Sequence, residues 1–335
     1  MLALLERDVA ATRVGAAGPR GAVAQVEVRG LLAAAYDHWD SRSGDPQLHT
    51  HVVVANRVQA VQDGKWRTLD SRALHAAISG LSEHYNAVLS DRLTGVLGVG
   101  WGARSRGRDR MIGWEIAGVP QALMDDFSSR TRVLEAVKER LVADYVAAHG
   151  RRPSSRVLWR MRQQATLATR PEKQHHSLRD LTEQWRARAA RRLARDAPEW
   201  AAELLAQPGS DPLLRADDIR LEDIQHAADV VVDAVGDRRS TWRRWNLHAE
   251  AARQSMEWRF ATAGDRDAIV GMIADVAERG SLRLTPPELA SSPAPFRRGD
   301  GSSVFRPKAS AIYSSERVLA AEDRLLERSA TTTAP

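Results

Sequence analysis

Cysteine is absent from the 335 residues, which excludes disulfides and thiolate metal sites alike. No stretch approaches the roughly 20 consecutive apolar residues of a membrane helix. The opening MLALLERDVAATRVG has no basic end followed by a long apolar run, so it does not read as a signal peptide. No G-x-x-x-x-G-K-S/T phosphate loop occurs, and ATP hydrolysis is not expected. Tyr and Phe are scarce, at four each. These absences leave a cytoplasmic protein with no membrane partner as the expectation.

Ten Trp stand against those few other aromatics. An indole can stack on an unpaired base, at about 1–3 kcal/mol per base, although Trp is also ordinary packing material. Lys and Arg number 49 against 43 Asp and Glu, and nearly all of the positive charge is Arg. The planar guanidinium fork grips phosphate oxygens in pairs, which suits nucleic acid. Arg-rich codon usage would give the same excess, so charge alone does not select DNA. Hydrophobic residues make up 43%, enough for a core, and the length allows two domains.

The first nine residues read as a helix ending in the Gly-rich GAAGPRG. VAQVEV alternates as a strand does. Residues 31–39 and 47–56 then form an expected hairpin around the turn-rich DSRSGDPQ. Helical spacing follows over 71–91, with Leu74, Ile78, Leu81, Tyr85, Val88 and Leu89 as the apolar face. VLGVGWG and RMIGWEIAG read as short strands around the basic GARSRGRDR. A helix is expected from Phe127-Ser128-Ser129 to Gly150, with Val133, Val137, Leu141 and Tyr145 on its apolar side. Beyond that the chain reads as almost all helix: 151–169, 178–193, 219–235, 240–260, 265–279 and 314–329. RPEKQHH and PPELASSPAPFRRGDGSS serve as linkers.

The strongest chemical feature is His38 followed by His49-Thr50-His51. Strand side chains alternate, so His49 and His51 stand on one face while Leu48, Val52 and Val54 share the other and should pack into the core. His38 joins the histidine pair if it lies opposite either of them across the hairpin. Three neutral imidazoles on one sheet face suit a divalent metal. A bare H-x-H is more often two strand histidines; the third on the partner strand is what favours a site.

The stretch AAAYDHWDSRSGDPQLHTHVVVANRVQ resembles the metal-binding motif of the MobF-type conjugative relaxases, the TrwC/TraI family of HUH endonucleases. The matching residues are His38, Ser41, Arg42, Asp45, Pro46, Leu48, His49, Thr50, His51 and Asn56. DGKWRTLDSRALH, WEIAGVP, FSSR and HGRRP resemble the family as well. The resemblance implies an α+β fold: part of a mostly antiparallel HUH sheet with flanking helices, followed by an all-helical extension. It implies a metal site of His38, His49 and His51 holding Mg, Mn or Zn. It also implies single-stranded DNA at a transfer origin as substrate and the conjugation machinery as partner. In the family a tyrosine attacks the scissile phosphate, giving a 5′-phosphotyrosine link and a free 3′-hydroxyl, and the step is reversible.

The family's nucleophilic tyrosines lie N-terminal to the matched region, and only 37 residues precede His38. Of Tyr36, Tyr85, Tyr145 and Tyr313, none falls where the motif places the nucleophile. Tyr36, two residues before His38, is the one substitute candidate, against the commoner reading of a packing residue. The expectation is therefore a truncated relaxase. The alternatives are a non-catalytic DNA- and metal-binding remnant, or one half of a split enzyme completed by an upstream polypeptide. IYSSERVLAAEDRLLE, with Glu322 at an acidic position, resembles the entrance to a helicase module. Three stretches result: 1–150 as the later part of the HUH core, 151–285 as a helical DNA-embracing extension, and 286–335 as linker and helicase entrance. Candidate phosphate contacts are Arg42, Arg151, Arg152, Arg156, Arg160 and Arg162. The later run Arg186, Arg188, Arg191 and Arg192 carries interleaved acids and reads equally as a solvated face.

Overall fold

A computed structural model describes residues 1–15, 21–106, 111–172, 176–206 and 212–331. Among these the strands are β1 (Thr12–Gly15), β2 (Val23–Val26), β3 (Ala33–Asp40), β4 (Pro46–Val54), β5 (Val58–Gln59), β6 (Trp66–Arg67), β7 (Trp101–Arg104), β8 (Gly113–Ile116), β9 (Leu282–Arg283) and β10 (Tyr313–Ser314). The helices are α1 (Leu2–Leu4), α2 (Ser71–Leu97), α3 (Gln121–Asp126), α4 (Ser129–His149), α5 (Ser155–Ala168), α6 (Leu178–Leu193), α7 (Ala197–Ala206), α8 (Leu221–Gly236), α9 (Arg244–Gln254), α10 (Ala263–Arg279) and α11 (Glu316–Thr331). Each strand pairs with one neighbour, in five separate two-stranded ladders. The fold is α+β, with small antiparallel sheets and a helical second half, as expected. Parts of GAAGPRG, GARSRGRDR and RPEKQHH lie outside the described residues.

Two compact units divide the chain discontinuously, whereas the stretches read from sequence are consecutive. The first comprises Met1–Ala33, Val54–Gly98 and Ser210–Pro335. Its core lies among α8, α9 and α10, where Ile224, Val231, Val235, Leu247, Phe260, Ile269 and Ile273 are nearly inaccessible to solvent. Ile224, Ala228, Val231 and Val235 recur at helical intervals along α8, giving it one apolar stripe. Asp70 caps α2, its carboxylate accepting from the Arg72 amide, and Gly98 ends that helix at φ 67°, in the left-handed region that favours glycine.

The buried side of α2 is not the expected one. Ala77, Gly80, Leu81, His84, Ala87, Ser90 and Asp91 face inward, while Ile78, Tyr85 and Leu89 are exposed. The reason is a close approach to α9: a Cβ on Gly80 would lie 2.6 Å from the Trp245 ring, so only a small-residue face fits there. The helix also runs six residues past Asp91, which displaces the expected VLGVGWG strand to Trp101–Arg104. The helix expected over 240–260 is shorter, because Trp242 exchanges backbone hydrogen bonds with Tyr313 before α9 begins and the Ser255 hydroxyl donates back to the Ala251 carbonyl as it ends.

The second unit comprises Ala34–Val53 and Val99–Gly209. It holds the β3–β4 and β7–β8 ladders and helices α3 to α7. Gly150 stops α4 at φ 65°, and Ser177 caps α6, its hydroxyl accepting from the Asp180 amide at 3.1 Å. No described residue of α4 is fully buried, so the expected apolar face is only half covered and Val133 is exposed.

Candidate metal centre and nucleic-acid interface

β3 and β4 are joined by a five-residue turn, too short for a parallel crossover, so they form an antiparallel hairpin. The Ser41 amide donates to the Asp45 carbonyl, the Ser41 hydroxyl accepts from the amides of Ser43 and Asp45, and Gly44 takes φ 74°. Across the ladder the Thr50 hydroxyl donates to the Asp37 carboxylate at 2.6 Å, placing Thr50 and Asp37 on one face. Alternation then puts His38, His49 and His51 together on the other. Their ring centroids lie 5.4 Å (His38–His49), 4.7 Å (His38–His51) and 4.9 Å (His49–His51) apart.

One ring nitrogen from each histidine lies within 4.8 Å of the others. The His49 Nδ1 sits 2.7 Å from the Gln47 carbonyl. A carbonyl only accepts, so Nδ1 carries the proton and Nε2 keeps its lone pair for a ligand. His38 and His49 are half-buried and His51 is exposed. Three imidazole nitrogens grouped in this way fit a divalent transition ion.

The opposite face departs from expectation. Leu48 is 76% exposed and Val52 38%; of that face only Val54 reaches a core, against Ala10, Val58 and Leu69. A two-stranded ladder supplies no second layer for such a face to pack on, and hairpins of this kind are marginal alone.

The turn is anchored from beneath. Asp45 is buried and accepts from the Ser129 amide at 2.8 Å, the Ser129 hydroxyl at 3.0 Å and Arg188 Nη1 at 2.9 Å. Arg188 also donates through Nε to Asp126 at 2.7 Å and lies over the Phe127 ring. The Trp185 indole donates to the Gly44 carbonyl at 2.7 Å. Arg188 is thus committed to holding α6 against the hairpin, which removes it from the candidate phosphate contacts.

A cleft of about 920 Å³ opens beside the three imidazoles. Arg42, Arg130, Arg170, Gln184 and Trp185 line it along with the histidines. Arg42 Nη1 reaches only to 3.5 Å from the Pro171 carbonyl. Arg130 Nη1 is buried and has no hydrogen-bond partner among the described residues. Sequence reasoning passed over Arg130, although FSSR had marked its position. Arg151, Arg152, Arg156, Arg160 and Arg162 are exposed and do not line the cleft. Arg156 and Arg160, four apart on α5, share a helix face with Trp159 exposed beside them, while Arg162 points away. Tyr36 is 57% exposed, on the histidine side of β3 by alternation, and is not part of the cleft lining.

A family model described as TrwC relaxase matches residues 1–192, more than half of the 335. The chain belongs to the TrwC relaxase family. It is 38% identical over 121 residues to the multifunctional conjugation protein TraI of Escherichia coli, and 34% identical over 116 residues to TraI of strain K12. Each match covers 32% of this chain and 6% of the relative, so the chain spans a small part of those proteins. Among solved structures it is similar to the conjugative relaxase TrwC in complex with OriT DNA, metal-free, at 27% identity and a TM-score of 0.43, over 58% of this chain and 62% of that one. A copper-bound TrwC–OriT complex matches at the same identity and TM-score, over 58% and 60%. Among the described residues no helix is long and apolar enough to cross a membrane.

Proposed function

We propose that the cleft binds single-stranded DNA of a transfer origin and that His38, His49 and His51 hold a divalent ion beside one of its phosphates. The observation that carries this is the pairing of a three-imidazole cluster with the unpartnered Arg130 guanidinium in one cleft. A buried N–H without an acceptor is costly, and a phosphate oxygen supplies the acceptor this one lacks. A bound ion there would draw charge from a phosphoryl oxygen. Arg42, at the cleft edge, adds a second cation, and α5 extends the contact with Arg156, Arg160 and the Trp159 indole. The TraI relatives named as conjugation proteins support this reading, and with it a cytoplasmic setting and the conjugation machinery as partner.

Arg130→Gln is expected to lower affinity for a transfer-origin oligonucleotide about 10-fold or more, read by fluorescence anisotropy, with Tm unchanged. Equal affinity in the variant would remove the cleft from the reading.

The nucleophile is proposed to come from a segment outside these residues. Tyr313 is buried and donates to Glu278, and Tyr145 stacks on His149. The outer edges of β3 and β4, unpaired among the described residues, support added strands, in cis or from an upstream polypeptide. Incubated with Mn²⁺ and the oligonucleotide, the chain should bind without a covalent adduct on a denaturing gel. An adduct that disappears in Tyr36→Phe would instead make Tyr36 the nucleophile and the chain a complete nicking enzyme.

A further inference from the structure

A second group of metal-ligating side chains lies in the first unit. Where Gly80 lets α2 close on Trp245 of α9, the next inward positions are His84 and His248. Their ring centroids are 5.7 Å apart, and they are 3% and 4% exposed. Asp267, on α10, completes the group: one ligand atom from each residue lies within 4.8 Å of the other two. Arg7 Nη1 donates to Asp267 Oδ2 at 2.7 Å, fixing the carboxylate in the way an outer partner orients a metal ligand.

The decisive feature is what these imidazoles fail to do. Nδ1 of His84 and Nδ1 of His248 are both buried, and neither has a hydrogen-bond partner among the described residues. A satisfied core histidine would hide its nitrogens against a carbonyl or hydroxyl, and an unsatisfied one is penalised for its burial. Burial first of all takes His248 down to about 4 and lowers His84 as well, so both rings are neutral at pH 7, the form that offers lone pairs. Two imidazoles with one carboxylate match a zinc-like ion rather than Mg²⁺ or Ca²⁺, which prefer all-oxygen shells.

We infer that His84, His248 and Asp267 form a structural metal site, separate from the hairpin histidines, that takes a zinc-like divalent transition ion and ties together α2, α9 and α10. Water would occupy the fourth position. The bound ion crosslinks α2 to the distant pair α9 and α10, so its effect falls on stability.

The test uses the full chain carrying His49→Ala and His51→Ala, which removes the hairpin site. Stripped with chelator and reloaded with Zn²⁺ or Co²⁺, this variant should retain about one equivalent and gain the visible absorption of low-coordinate cobalt. Its Tm should rise by about 5 °C at a free-ion concentration about 100 times Kd. Adding His248→Leu, which keeps the apolar volume beside Trp245, should abolish ion and Tm rise together without lowering the metal-free Tm. Asp267→Asn should weaken retention while leaving the fold intact. No retained ion and no Tm rise in the His49→Ala/His51→Ala chain would overturn the site and leave a buried water between the rings. Undiminished retention after His248→Leu would overturn it equally.

Discussion

Asp91→Ala should destabilise the first unit by about 3–5 kcal/mol, the largest single-residue effect expected outside the functional cleft. Asp91 sits on the buried face of α2, and Arg266 of α10 has no accessible surface at all. The two form a fork-to-fork pair, Nη2 to Oδ1 at 2.7 Å and Nε to Oδ2 at 2.8 Å. The remaining guanidinium N–H groups are used as well: Nη1 donates to the Ser255 carbonyl and hydroxyl, and Nη2 to the Trp258 carbonyl at 2.6 Å. The Phe260 ring lies 4.5 Å from the guanidinium carbon, and the Phe260 amide donates to Asp91. Removing the carboxylate therefore leaves a full charge in a place from which water is excluded. Replacing both partners together, as Asp91→Ala with Arg266→Met, removes the charge with its counter-ion and should cost far less than the single change Asp91→Ala. Denaturant midpoints of the four chains in that cycle are the measurement. A single-variant midpoint close to wild type would show that solvent reaches the pair.

That ion pair marks where the sequence stops being legible. Its members are 175 residues apart, and nothing local distinguishes Asp91 or Arg266 from the other acids and arginines of an Arg-rich chain. The hairpin is the opposite case. Alternation alone put His49 and His51 on one face, and His38 joins them once the short turn, with glycine at a left-handed position, sets the pairing locally. The ends of α6 were equally plain, since Ser177 supplies a cap whose partner is three residues away. The inward face of α2 was misread because size was taken as the guide to burial: Ile78 and Tyr85 point outward, while Gly80 and His84 face a helix contributed by residues 244–254. The same limit governs the arginines. Arg188 and Arg186 look alike in sequence, but only Arg188 meets the buried carboxylate of Asp45, and the unpartnered nitrogen of Arg130 appears only once the cleft around it is closed.

Loss of His49 should weaken divalent-ion binding at the hairpin by about 100-fold or more, at least about 2.7 kcal/mol, and more than loss of His51. The order follows from the two environments. His49 is half-buried and has its proton fixed on Nδ1 by the Gln47 carbonyl, so Nε2 is already the free donor when an ion arrives. His51 is exposed, and part of its binding free energy offsets the ordering of its ring. An imidazole set also ranks the ions, with Zn²⁺ bound more tightly than Mn²⁺ and Mg²⁺ last. Competition against a chromophoric chelator would read each affinity, with His248→Leu present throughout so that only the hairpin contributes. Oligonucleotide affinity in chelator should barely change in His49→Ala, because the arginines of the cleft and α5 meet the phosphates without the ion. Metal affinity and DNA affinity that fell together would mean that the histidines shape the cleft itself. Equal ion affinity in His49→Ala and His51→Ala and the unaltered chain would move the ion off the hairpin altogether.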